Sequence, residues 1–123
     1  MYVSGSVHVR PFPKIPTGSC LKVYIKEDIY CDDCDIPILD EVTFNVPQSR
    51  NEKLKYTLKF NDASAGTYLI FATLHIGWCA RKEQTARIGD YQSEGRDFFT
   101  LGFDNRYVSK DITVEKLIRN GED

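Results

Sequence analysis

The residues in this chain whose types and spacing most invite chemistry are four cysteines, Cys20, Cys31, Cys34 and Cys79. Cys31-Asp-Asp-Cys34 has the spacing of a zinc knuckle, a redox dithiol or a tight loop disulfide. A zinc site needs a second matching pair. The nearest is His75-x-x-x-Cys79, which lies in a strand pattern, and residues four apart on a strand sit about 13 Å apart. One tetrahedral ion is poorly served by such a pair, so no metal is expected. A redox dithiol draws on a helix N-terminus to lower its thiol pKa. Acidic flanks and a β context disfavour the thiolate here. Two structural readings remain. Cys20–Cys79 and Cys31–Cys34 bridges would use all four residues, with Cys20 and Cys79 on outward faces of strands that neighbour each other in an immunoglobulin-like order. The other reading is four reduced thiols in a cytosolic protein.

Other chemistry finds little support. The two histidines, His8 and His75, each fall on a polar or mixed strand face, where a structural role is the expectation. A nucleophilic triad needs a base within reach of an activated Ser or Cys, and no Gly-x-Ser-x-Gly elbow occurs. No Gly-rich loop opens a helix, so a phosphate cradle is missing. Paired carboxylates for glycoside hydrolysis suit a larger chain with a deep pocket. Neither a catalytic residue nor a cofactor is expected, and the chain reads as a non-enzyme.

Surfaces are the better candidates. Phe98 and Phe99 are consecutive, so one of them points away from the core, and Leu101 and Phe103 extend the apolar run. The stretch from Ala80 to Arg96 is polar, with the mixed charge and the tyrosine expected of an interaction loop. Phe98, Phe99, Tyr91, Arg81 and Arg87 are the candidate partner-binding residues. An edge strand could also accept an extended segment of a partner or a second copy, giving a homo-oligomer.

These residues must be positioned by strands, because alternation at period two dominates the chain. Val3, Gly5, Val7 and Val9 share one face of Tyr2 to Arg10. Pro11, Pro13 and Pro16 end that strand, and Thr17-Gly18 turn it. Leu21, Val23 and Ile25 face inward in the next. Tyr30 to Pro37 is an acidic loop. Val42, Phe44 and Val46 form a third inward set; Leu54, Tyr56, Leu58 and Phe60 form a fourth. Thr67 to Cys79 is apolar on both faces and reads as the central strand, whose second face needs cover from Phe98–Phe103 or from another molecule. Asp97–Phe103 and Tyr107–Leu117 are the last two strands. About seven strands at this spacing predict an all-β, two-sheet β-sandwich, immunoglobulin-like or related, over residues 2–117, with a frayed tail over 118–123.

Composition narrows the classes. The chain has 123 residues, 41% hydrophobic, enough for a core. Lys+Arg number 16 against 18 Asp+Glu, a net charge of −2, and the basic residues are scattered. Nucleic acid, which demands a clustered basic excess, is not an expected partner. No apolar run approaches the roughly 20 residues of a membrane span. The chain enters a strand pattern at once, as a cytosolic protein or a mature secreted domain would. The even cysteine count favours a secreted or periplasmic location over the cytoplasm.

The pattern Val3-x-Gly5-x-Val7, then Pro16-x-Gly18-x-x-Leu21-x-Val23, is similar to the start of the YbaY/YscW family. So is Tyr56-x-Leu58-x-Phe60 followed by Gly66-x-Tyr68 and an apolar strand. The resemblance covers roughly residues 3 to 115 and rests on packing and turn residues. It implies a small bacterial β-sandwich of a family that is often lipoprotein, with some members acting as pilotins for secretin assembly in type III secretion. It carries no catalytic residues over. The chain departs from the family in lacking a lipid-anchor cysteine at its start. The Cys31–Cys34 loop and the 80–96 excursion look like additions.

The expected function is a non-enzymatic protein-binding or assembly module that uses a sheet face, an edge strand or the 80–96 loop. A secreted, disulfide-stabilised effector or inhibitor of a partner protein is one alternative. A small-molecule or lipid carrier, open at the Phe98–Phe103 side, is another.

Overall fold

The computed structural model describes residues 2–11, 14–29, 36–46, 53–60, 65–81, 84–102 and 107–118. The acidic loop with its Cys31–Cys34 pair, Phe103, and the tail beyond Ile118 lie outside the described residues. The strands are β1 (Tyr2–Arg10), β2 (Ser19–Glu27), β3 (Ile38–Val46), β4 (Lys53–Lys59), β5 (Gly66–His75), β6 (Tyr91–Gln92), β7 (Phe98–Leu101), β8 (Tyr107–Ser109) and β9 (Ile112–Lys116).

The alternating sequence dictates which side of each strand is buried. Val3, Val7 and Val9 from β1 meet Leu21, Val23 and Ile25 from β2 in the core. Tyr56 and Leu58 of β4, Ile70, Ala72 and Leu74 of β5, and Ile112 and Val114 of β9 complete it. Phe60, Tyr68 and Phe99 close one end, with Tyr68 edge-on to Phe60 at 4.9 Å and stacked on Phe99 at 5.7 Å. Consecutive Phe98 and Phe99 do face opposite ways: Phe98 is 55% exposed and Phe99 is 5% exposed.

The fold is all-β among the described residues, as the alternation implies. Hydrogen bonds join the strands along one path, β3-β2-β5-β6-β9-β1-β4, with β7 added on β5 and β8 on β1. The two ends of that path, β3 and β4, approach each other. The ladder is thus one sheet wrapped toward closure, and no division into two sheets of immunoglobulin-like order is seen in it. Two strands depart from the sequence expectation. β6 arises inside what reads as a polar loop, and the expected strand over 107–117 is broken into β8 and β9.

That break has a physical cause. β1 pairs in parallel with β8 through Ser4↔Ser109 and with β9 from Val7↔Ile112, so Lys110 and Asp111 fall between the two ladders. The Lys110 carbonyl turns beneath Gly5 and accepts the Tyr56 hydroxyl at 2.5 Å. A Cβ at position 5 would collide with that carbonyl, so only glycine leaves the room. The β1 backbone stays satisfied across the break. The Ser4 carbonyl accepts from Lys110 N–H at 2.9 Å, and Ser6 N–H donates to Asp111 Oδ1 at 2.9 Å.

Candidate functional site

A groove of about 680 Å³ runs over the outward faces of β2, β3, β5 and β6. Alternation that buries Leu21, Val23 and Ile25 turns Lys22, Tyr24 and Lys26 outward into its floor. Thr73 and His75 of β5 and Gln92 of β6 continue the floor. Ile38 to Glu41 of β3 form one wall, and Gln84 to Ala86 form the other.

Tyr24 is the aromatic residue of the floor, and Phe71 beside it supports its ring. Tyr24 and Phe71 are direct cross-strand neighbours and stack at 4.9 Å with 12° between their planes. The Lys26 ammonium lies 5.9 Å from the Tyr24 centroid and 5.8 Å from that of Phe71. Lys22 sits 5.7 Å from the Tyr24 ring and pairs with Glu41 across the wall at 3.3 Å. Burial pushes the Tyr24 hydroxyl above its ordinary pKa, so it remains a neutral donor and acceptor. This mixture of apolar surface and charged rims suits a peptide or small amphipathic group.

Asp90 holds the far end of the groove together. It is 2% exposed and accepts from four donors. Ile76 N–H donates to Oδ1 at 3.0 Å, and Arg87 N–H donates to Oδ2 at 2.9 Å. Trp78 Nε1–H reaches both oxygens, at 3.1 and 3.0 Å, and His75 Nδ1 lies 3.0 Å from Oδ2. Burial pushes this carboxyl upward. The Arg87 and Ile76 amides, then His75 and Trp78, outweigh that and hold it below the usual carboxylate range. The Arg87 guanidinium covers the Trp78 ring at 3.7 Å, and His75 meets the same ring edge-on at 4.5 Å. Both carboxylate oxygens are therefore spent on fixing the chain reversal after β5, which makes the buried His75–Asp90 pair structural. Asp90 also explains why β5 ends at His75, since it captures the Ile76 amide in place of a ladder partner.

The structure redistributes the residues singled out from the sequence. Cys20 and Cys79 are joined by a disulfide with Cα atoms 5.0 Å apart. Cys79 is exposed, but Cys20 is 1% exposed rather than facing open solvent. A bridged Cys79 is no zinc thiolate, and among the described residues no His, Cys, Asp and Glu gather as a metal site. Tyr91 and Phe99 belong to the core, at 3% and 5% exposed, so they do not present a docking surface. Tyr91 is drawn in because the supposed loop pairs with β5 and β9 as β6. Arg81, Arg87 and Phe98 are exposed, and Arg87 lies over the Trp78 ring. These residues do not form one patch: Arg81 and Arg87 flank the groove wall, and Phe98 lies on β7 with Lys110 5.8 Å above its ring. On the second face of β5, Thr73 and His75 underlie the groove and Gly95 packs on the Phe71 ring, while the Ser93 hydroxyl bonds along the strand edge, accepting from Ala72 N–H at 3.0 Å. Phe98 is exposed and Phe103 lies outside the described residues.

No protein-family model matches this sequence, and no curated protein matches it. Among solved structures, an alternative pilotin from the type II secretion system of Vibrio cholerae superposes with a TM-score of 0.67 at 12% identity, covering 95% of this chain and 96% of that one. At that identity the likeness is one of fold. It extends along nearly the whole of both chains, and it is to a type II pilotin, which supports a pilotin-like fold without singling out the YbaY/YscW family expected from the sequence.

Proposed function

We propose that this chain is a non-enzymatic assembly module of a secretion machine. It holds a segment of a partner subunit, a secretin in the pilotin analogy, in the groove over β2, β3 and β5. The observation that carries this reading is the pilotin fold spanning 95% of the chain. The groove supports it with a preformed, aromatic-floored surface, and Tyr24 stacked on Phe71 offers rigid contact area at low entropic cost. The His75–Asp90 pair argues against catalysis, because its carboxylate has no lone pairs to spare for a reacting group. The Cys20–Cys79 bridge supports an oxidising compartment, secreted or periplasmic, where disulfides persist.

Site-specific photo-crosslinking tests the reading. A benzophenone amino acid at position 24 is expected to capture the secretin of the same organism in cells, and one at Thr57, on the outward face of β4, is not. Tyr24→Asp, which is expected to fold normally, should fail to restore secretin multimers in a deletion strain. Equal crosslinking from both positions, or full rescue by Tyr24→Asp, would overturn the assignment of the groove.

A further inference from the structure

The opposite end of the strand order carries a surface unrelated to the groove. β1 and β4 pair in the register Tyr2↔Lys59, Ser4↔Thr57, Ser6↔Lys55 and His8↔Lys53. Val3, Val7, Tyr56 and Leu58 point into the core, so these other side chains all point outward. Outward positions on β4 therefore read Lys53, Lys55, Thr57, Lys59, a line about 20 Å long without a carboxylate. Arg10 adds a cation on β1. None of these four cations is in an ion pair among the described residues. Among the described residues, acids near this face lie on the far side of β1: Asp111, engaged by the Ser6 amide and 3.9 Å from His8, and Glu115, opposite Arg10. At the Lys59 end, Tyr2 and Tyr107 stack at 5.9 Å while remaining 38% and 76% exposed.

We infer that the outward face of β4–β1–β8 docks on an anionic phospholipid surface. Charge complementarity supplies the argument for the occupant: an unpaired line of lysines on a chain whose net charge is −2 concentrates its positive potential on one face. Lysines on an edge strand also discourage edge-to-edge pairing. That accounts for charge on β4 but not for two large stacked tyrosines left in water beside it. Tyrosine is amphipathic and settles at the headgroup level of a bilayer, whereas lysines meet the phosphates. Because both groups of strands turn their inward sides into one core, this face looks away from the groove. A chain lying on the membrane by it keeps the groove open to a partner.

Flotation of the purified chain with vesicles tests the inference, at 50 and 300 mM salt, with phosphatidylcholine alone and with 30% phosphatidylglycerol. Binding is expected only with phosphatidylglycerol and to weaken at high salt. K53Q/K55Q/K59Q should weaken it about 100-fold, at about fivefold per lysine. Y2S/Y107S should weaken it while leaving the salt dependence unchanged. These surface changes leave the core untouched, and circular dichroism checks that they do. Equal binding to neutral vesicles, or wild-type binding by the triple-lysine variant, would overturn it. So would an absence of vesicle binding in a chain whose triple-lysine variant instead loses secretin capture, which would make the face a protein site.

Discussion

Replacing Asp90 by Asn is the sharpest perturbation of the groove architecture. The side chain keeps its shape and loses its charge. Hydrogen bonds to a charged group contribute about 1.5–3 kcal/mol each, against about 0.5–1.5 for neutral ones. An Asn carbonyl in the Oδ1 place can still accept from Ile76 N–H and Trp78 Nε1–H, at a loss of about 1 kcal/mol apiece. The amide nitrogen in the Oδ2 place presents donors to Arg87 N–H, which then has no acceptor in a buried site, at about 1–3 kcal/mol. His75 can answer by changing tautomer. The sum is about 3–5 kcal/mol at pH 7. The cost depends on pH in a definite direction. Asp90 is held below its ordinary pKa in the fold, so its contribution is complete above about pH 4 and is lost as pH falls through the folded value. Asn does not titrate there, so the gap between wild type and D90N narrows in acid. Urea unfolding from pH 7 to pH 2.5 reads both quantities, using far-ultraviolet dichroism for the fold and the single tryptophan, Trp78, as a local probe. A cost below about 1 kcal/mol at pH 7, or one independent of pH, would refute the reasoning that Asp90 is an ionised structural acceptor.

Other perturbations follow from the same contacts. Gly5→Ala drives a methyl group into the Lys110 carbonyl and is expected to cost about 3 kcal/mol, seen as a fall of roughly 10 °C in Tm. Cys20→Ser with Cys79→Ser opens a loop with a sequence separation of 59, and the chain-entropy argument predicts a loss of about 4 kcal/mol in denaturant unfolding. Tyr56→Phe removes the bond to Lys110 and should cost about 1 kcal/mol at pH 7. The Tyr56 hydroxyl is pushed well above its usual pKa by burial first and then by Asp111 and Asp97. Above about pH 10 the unfolded state ionises while the fold does not, so wild type loses stability relative to Tyr56→Phe and the difference between them shrinks.

Much of the sheet was legible because burial repeats every second residue. The inward sets Val3/Val7/Val9, Leu21/Val23/Ile25 and Leu54/Tyr56/Leu58/Phe60 are the core strands of the structure. β6 was illegible because two residues carry no period. Misreading it as loop placed Tyr91 on the surface, although the two-residue strand it opens, bounded by Asp90 and Ser93, ties β5 to β9. The break at Lys110 was hidden for a different reason. It depends on Gly5 and Tyr56, which are distant in sequence and adjacent only once β1 and β4 pair. The groove escaped notice likewise. Tyr24 and Phe71 each read as an ordinary outward or mixed position, and only register makes them one plate. Cysteine parity did point to the Cys20–Cys79 bridge as one of two readings, since side chains on neighbouring strands can meet.

The parallel pairing of β1 with β8 and β9 bears on how such a chain is made and moved. One side of the first strand stays unpaired until residues 107–116 exist, so a ribosome that has released only the first hundred residues holds a chain with its core unsealed. Contacts this distant in sequence form slowly. A polypeptide that postpones its tertiary structure until synthesis is complete remains thin enough to thread through a translocation pore. Truncation before Tyr107 should accordingly abolish the cooperative unfolding transition outright rather than shift its midpoint.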